Sequence, residues 1–453
     1  MINMSLKGLA LVFVLFVQLL LALLYEYDIV SWGLLLVNLL GTFFFFRTIR
    51  SFAKNISILF LFVFIFCSLN IEALAKFQAS SINSIFVIPE GANESVVFHD
   101  LAVFSNEVLA VYMLSYMLLG RVVKYRKRQF EYLHKSTISD VFFDLAIIIA
   151  FFFSIISGIL GVGKMGYEAS VVLPFHLNGI MQFFRTDIFP IIICVFVYDH
   201  ISKKRIIKNR HILLIVVWAF LESVVRLSRS AAVMSFVPLL LMFVYSNYFT
   251  KRTVIRTLLP LLCAAFLMFP VISALRDTGD VSLQNISSSK EEKKENANQH
   301  MYLRTFYSGI YFIRIFSSGY DDPSMFYFGR LPLIIFYGGS AVYTTREVDG
   351  VSERVVHSSG TTGILDPLLI GGKGLCFVTV FFLVLIALII DRKIGNDRIL
   401  IKIVCLMFFK ILVMSKNLTI LLDTEFFQLL TSYLAQFAII GMYYKKYFIR
   451  KLI

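Results

Sequence analysis

The chain has 453 residues, of which 58% are hydrophobic and only 16% charged, with a mean hydropathy of +0.80 and a formal charge of +14 at pH 7. A soluble domain of this size carries about 25% charged residues, so composition excludes a water-soluble enzyme and points to a polytopic membrane protein. The positive excess would hint at nucleic acid in a soluble chain; here it sits in short connectors, and no nucleic-acid partner is expected.

The first stretch, "MINMSLKGLALVFVLFVQLLLALL", has the look of a signal peptide. It lacks a small-residue cleavage site and soon meets a second apolar segment, so an uncleaved first span is expected. Crossing the hydrocarbon takes about 20 apolar residues at about 1.5 Å each. On that template twelve helices are predicted, at 6–24, 29–46, 55–73, 101–120, 138–160, 179–198, 211–228, 230–249, 254–275, 374–391, 399–416 and 425–443. Cys67, Cys194, Cys263, Cys376 and Cys405 fall inside or at the edge of apolar segments, without pairing or metal-ligand spacing. They read as small buried hydrophobes.

Connectors give the orientation. "RTIRSFAK", "RVVKYRKRQFEYLHK", "SKKRIIKNRH", "KRTVIR", "DRKIGNDR" and the terminal "KKYFIRK" are dense in Lys and Arg, and each follows an even number of crossings. Those between them, such as "YEYD" and "SKNLTILLDTE", are acidic or mixed. Basic connectors stay on the cytoplasmic side, so both termini are expected there. Connectors 74–100, 161–178 and the turn after helix seven then lie outside, with one large outer loop at about 276–373 between helices nine and ten. The whole chain, 1–453, is expected to form a single integral membrane domain.

Within the large loop, "SLQNISSSKEEKKENANQH" (282–300) is polar and charged, and its composition predicts a mobile segment. The aromatic-rich 301–345 that follows carries apolar runs too short to span, and reads as interfacial or re-entrant helices. The loop closes in "REVDGVSERVVHSSGTTGILDPLLIGGKG" (346–374). Sequons at Asn93, Asn285 and Asn417 are read as chance matches.

Candidate chemistry gathers on the outer side. Glu222, Arg226 and Arg229 stand at i, i+4 and i+7, on one face of helix seven near its outer end. Two readings fit: an intramembrane ion pair with a snorkelling arginine, or an anion clamp in which planar guanidinium forks meet phosphate oxygens and Glu222 orients one of them. Arg276, at the exit of helix nine, is followed in the large loop by Arg304, Arg314, Arg330 and Arg354, and repeated Arg beside aromatic residues, as at Arg304, Arg314 and Arg330, is what an aromatic belt with snorkelling cations would give, or a site for an anionic, sugar-bearing lipid. His357 has the chemistry to take a proton from a hydroxyl nucleophile, and Asp366 to do so or to orient His357; either is also an ordinary loop residue. The nearby glycines suit close approach of a bulky ligand, or simple turns. Asp321 and Asp322 before Pro323 are common turn chemistry, and no metal or cofactor is expected. No Walker motif, dinucleotide fingerprint, metalloprotease signature or hydrolase elbow occurs.

Twelve spans with cytoplasmic ends, one dominant outer loop between late helices, the "RLSRSAAVMSFVPLLLMF" run leading into helix eight and the loop-closing "HSSGTTGILDPLLIGGKG" together resemble the O-antigen polymerases, the Wzy family. The resemblance spans nearly the whole chain. It implies an all-α, GT-C-like polytopic fold in the bacterial inner membrane, with an active site facing the periplasm. It also implies a glycosyltransferase acting on undecaprenyl-diphosphate-linked oligosaccharides, moving a growing chain from its carrier onto a new repeat unit. A chain-length-regulator membrane protein is an implied partner, alongside the lipid bilayer. On this view Arg226 and Arg229, helped by Arg276, Arg314 or Arg354, bind the diphosphate, and His357 or Asp366 activates the acceptor hydroxyl. An O-antigen ligase of similar architecture and a lipid-linked oligosaccharide flippase are the rival functions.

Overall fold

The computed structural model describes residues 6–49, 54–71, 94–125, 139–162, 177–203, 207–226, 325–336, 366–394, 398–414 and 424–448, with isolated positions at 174, 238 and 241–242. Among these, every regular element is helical. In chain order they are α1 (Leu6–Leu24), α2 (Ile29–Thr48), α3 (Ile56–Ile65, continued by a π-helical turn Phe66–Ile71), α4 (Glu94–Val122) and α5 (Asp140–Leu160). Then come α6 (Leu177–Phe183), a π-helical turn (Phe184–Ile188), α7 (Phe189–Ser202), α8 (Asn209–Arg226), α9 (Leu331–Phe336), α10 (Asp366–Lys393), α11 (Ile399–Met414) and α12 (Thr424–Phe448). Among the described residues, six stretches are long and apolar enough to cross a membrane: Lys7–Leu24, Ile29–Thr48, His99–Val122, Asp140–Leu160, Leu177–His200 and Asp366–Lys393. The expected spans at 230–249 and 254–275 lie outside the described residues apart from positions 238 and 241–242, as does the segment 282–300.

The chain divides into two compact units. The first holds α1–α4, α9 and α10. Its opening hairpin turns through residues 25–28, where Glu26 takes a left-handed φ of 45°. Asp28 then caps α2 by accepting from the Ser31 N–H at 2.8 Å. Hydrogen bonding to Ser31 holds the Asp28 carboxyl below its ordinary pKa.

Between apolar helices in lipid, association rests on close packing and interhelical hydrogen bonds. Both are present here. Asn38 Nδ2 donates to the Asn106 carbonyl at 2.9 Å, and Asn106 Nδ2 donates to the Ser31 carbonyl at 2.9 Å, tying α4 to α2. Gly41 lets these helices close further, since a Cβ there would stand 2.7 Å from Met113 Cβ. Phe45 packs on Phe62 and Tyr116, each at 4.9 Å between ring centres. The Asp391 carboxylate accepts from the Ser57 and Ile58 N–H groups at 3.2 and 3.0 Å, a cap for α3 supplied by the end of α10. Elsewhere the helices present large apolar side chains outward, for instance Leu23 at 69% and Leu118 at 62% exposed. Such faces suit lipid and not water.

The run before the tenth predicted span is helical from Asp366 rather than a loop up to 374. Its helix is broken at Gly371 (φ −145°, ψ 22°) and Gly372 (φ 75°, ψ −174°), a backbone pair that only glycine tolerates at the second position. The glycines admit the chain's own backbone: Gly374 N–H donates to the Met325 carbonyl at 2.6 Å, and Tyr327 N–H to the Gly371 carbonyl at 3.4 Å. Just past the break, Lys373 reaches Glu107 of α4 at 3.0 Å. Residues 325–336 thus form a strap that includes α9, with Ile334 buried and Ile335 and Phe336 exposed. Of the predicted 301–345 region only this strap falls within the described residues.

In the second unit, α5 packs on α6, α7 and α8. Ser139 caps α5 by accepting from Phe142 N–H at 3.2 Å, and Gly161 closes it in the left-handed region. Pro190 explains the π-helical turn: it has no N–H for the Thr186 carbonyl, so the preceding backbone widens.

Candidate functional site

Three helices of the second unit carry polar side chains at both ends. At one end, where the N-termini of α5 and α8 meet the C-terminus of α7, His200 Nε2 and Lys208 Nζ both engage Asp140, at 3.3 and 2.5 Å. Beside them His211 Nε2 and Arg210 engage Asp144 at 3.1 and 2.8 Å. Above this layer lie fully buried aromatic rings. Phe143 stacks on Phe196 at 4.0 Å between ring centres, and Phe189 meets the Trp218 ring edge-on at 4.7 Å.

Beyond the rings is a second polar layer. Glu222 stands thirteen residues after Asn209 along α8, about 20 Å from the first layer. Its side chain is only 3% exposed, and the facing Arg185 side chain is 0% exposed. Arg185 Nε lies 3.4 Å from Glu222 Oε1, too long for a strong hydrogen bond. Ser154 of α5 donates its hydroxyl to the same carboxylate oxygen. Arg226 lies one turn further along α8, half-buried and close enough to act electrostatically on both Arg185 and Asp187. Asp187 is held by the Thr186 hydroxyl at 2.6 Å and by Ser432 of α12.

This layer is short of acceptors. Nε, Nη1 and Nη2 of Arg185 and Nε of Arg226 are buried without a hydrogen-bond partner among the described residues. A guanidinium offers five donors in a planar fork, and buried polar groups in native proteins nearly always find partners. The arrangement has the chemistry to accept an anion with several oxygens.

Of the residues singled out from sequence, Glu222 and Arg226 come together here, with Glu222 meeting Arg185 of a neighbouring helix. Asp366 belongs to the first unit, fully buried in the first turn of α10. Arg229, Arg276, Arg314, Arg354 and His357 lie outside the described residues. Arg185 and Asp187 were not singled out, although the signal was present: two opposite charges in "FFRTDIFP", inside an apolar run, where ionisable residues are costly. Among known proteins, no family model, curated protein or solved structure matches this chain.

Proposed function

We propose that this chain is a polysaccharide polymerase, a glycosyltransferase that joins undecaprenyl-diphosphate-linked oligosaccharide repeat units at the periplasmic face of the bacterial inner membrane. The observation that carries the reading is the acceptor-poor pair Arg185 and Arg226, beside Glu222 in the second polar layer. Two neighbouring guanidiniums suit a donor whose leaving group is a diphosphate.

In the reaction an acceptor hydroxyl oxygen attacks the anomeric carbon of the donor as the carbon–oxygen bond to the diphosphate breaks. The hydroxyl proton passes to a general base. The charge growing on the leaving diphosphate meets Arg226 and Arg229. Activation resides in the donor, so no nucleotide is consumed. An O-antigen ligase would share this chemistry but require a lipid A core as acceptor.

A flippase is the second reading, favoured by the charges Arg185 and Asp187 within a predicted span. Against it stand the buried rings of Phe143, Phe189, Phe196 and Trp218, which lie between the two polar layers among the described residues of the second unit.

The test uses purified protein with a lipid-linked repeat unit as sole substrate. A ladder of lengthening products is expected, and Arg226→Ala should slow its formation by about a hundredfold, the scale seen when one charge-stabilising donor is removed. Product only when lipid A core is added would favour the ligase. Movement of lipid between leaflets without new glycosidic bonds would favour the flippase.

A further inference from the structure

We propose that Arg185 is the principal phosphate-binding residue of the second unit, with Arg226 as its neighbour and Glu222 as the built-in carboxylate that holds the guanidinium until a phosphate arrives. That the phosphate belongs to a lipid carrier rests on the function proposed above; the anion site itself does not.

The geometry separates this role from that of a structural ion pair. Structural arginine–carboxylate pairs are short and often two-pronged. Here Arg185 meets Glu222 through a single Nε–Oε1 approach of 3.4 Å, and all three guanidinium nitrogens lack a hydrogen-bond partner among the described residues. Glu222 meanwhile accepts from Ser154, so its oxygen is shared. A second cation, Arg226, acts on the same group and raises the local positive potential, which a simple pair would not require. A nearby carboxylate, Asp187, accepts from Thr186 and Ser432.

The backbone contributes as well. Arg185 projects from the π-helical turn upstream of Pro190, a local distortion of a kind frequent at functional sites. The Phe189–Trp218 pair lies one turn deeper along both helices and closes the layer on that side. A phosphate oxygen pair would fill the guanidinium fork, displacing the Glu222 oxygen and leaving it to Ser154.

Binding is measured on the full-length protein in detergent micelles, with inorganic pyrophosphate, undecaprenyl diphosphate and uncharged undecaprenol as probes. Both diphosphates should bind, and Arg185→Gln should weaken both by about tenfold to a hundredfold, the worth of a charge-assisted hydrogen bond. Arg185→Lys keeps the charge but loses the fork, so a loss of about threefold to tenfold is expected. Glu222→Gln removes the competing carboxylate and should tighten both by about tenfold, a gain that misfolding cannot imitate. Wild-type affinity in both Arg185→Lys and Glu222→Gln overturns the proposal, even if Arg185→Gln fails to fold; so does failure of the wild type to bind either diphosphate. Arg185-dependent binding of pyrophosphate but not of the lipid supports the anion site and assigns it to a free diphosphate. Arg185-dependent binding of both, with no polymer formed by the wild type, keeps the site and sinks the polymerase.

Discussion

Replacing Gly374 by alanine tests the strap of residues 325–336 against the broken helix α10. A Cβ at Gly374 would sit 2.6 Å from the Met325 carbonyl oxygen and 2.6 Å from Phe326 Cζ, where ordinary contact begins at 3.4 Å. The obstacle includes backbone, so the strap must retreat by about 0.8 Å, the difference between those distances. Retreat lengthens the 2.6 Å bond from Gly374 N–H and the already long 3.4 Å bond from Tyr327 N–H. Losing them costs about 1 kcal/mol together at the low end, and overpacking adds about 1–3 kcal/mol. The expected total is about 2–4 kcal/mol. Gly33 provides the control, because a Cβ there meets nothing within 4 Å. Alanine at that mid-helix position should stabilise by about 0.5–1 kcal/mol. Reversible unfolding in mixed detergent micelles measures both. Equal stability of wild type and Gly374→Ala, or a loss at Gly33→Ala as large as that at Gly374→Ala, would refute the reasoning.

Asp391→Ala removes the carboxylate that caps α3 through Ser57 and Ile58; a loss of about 2–3 kcal/mol is expected in the same unfolding assay. Phe196→Ala opens a cavity beneath Phe143 and should cost about 3–5 kcal/mol, with Phe196→Leu costing less than half as much. Asp28 has a folded pKa below its ordinary value, so its contribution to the start of α2 is present above the unfolded aspartate pKa, about 3.9, and fades as pH falls through the lower folded value. Amide exchange at Ser31 should accelerate over that acidic window in the wild type, and Asp28→Asn should abolish the pH dependence.

How far the fold was legible depended on whether the signal was local. The first helix was placed at 6–24, as found, because almost every residue in it is apolar and a charged turn follows. The start of α4 was placed at 101 and lies at Glu94, since hydropathy marks an apolar run while the helix continues through His99 and Asp100. The glycines near 371 were read as suiting a ligand's close approach or simple turns; helical residues on both sides of one forbidden angle gave no local cue to a broken helix. The cap on α3 comes from a residue 334 positions away, beyond any window of periodicity. At the candidate site, Glu222 and Arg226 were visible because they interrupt the end of an apolar run. Arg185 was hidden by the hydrophobicity of its neighbours, although a charge so placed is where the strongest constraint should be sought.

The ring stack of Phe143, Phe196, Phe189 and Trp218 has an electrical consequence. With each of these side chains fully buried, the stack is an insulating septum between histidine–aspartate pairs on one side and arginines on the other. In an energised bilayer much of the voltage would fall across such a dry layer, leaving the arginine layer near the potential of a single bulk phase. Among the described residues, the guanidiniums are thereby kept apart from the histidine–aspartate pairs by apolar rings alone.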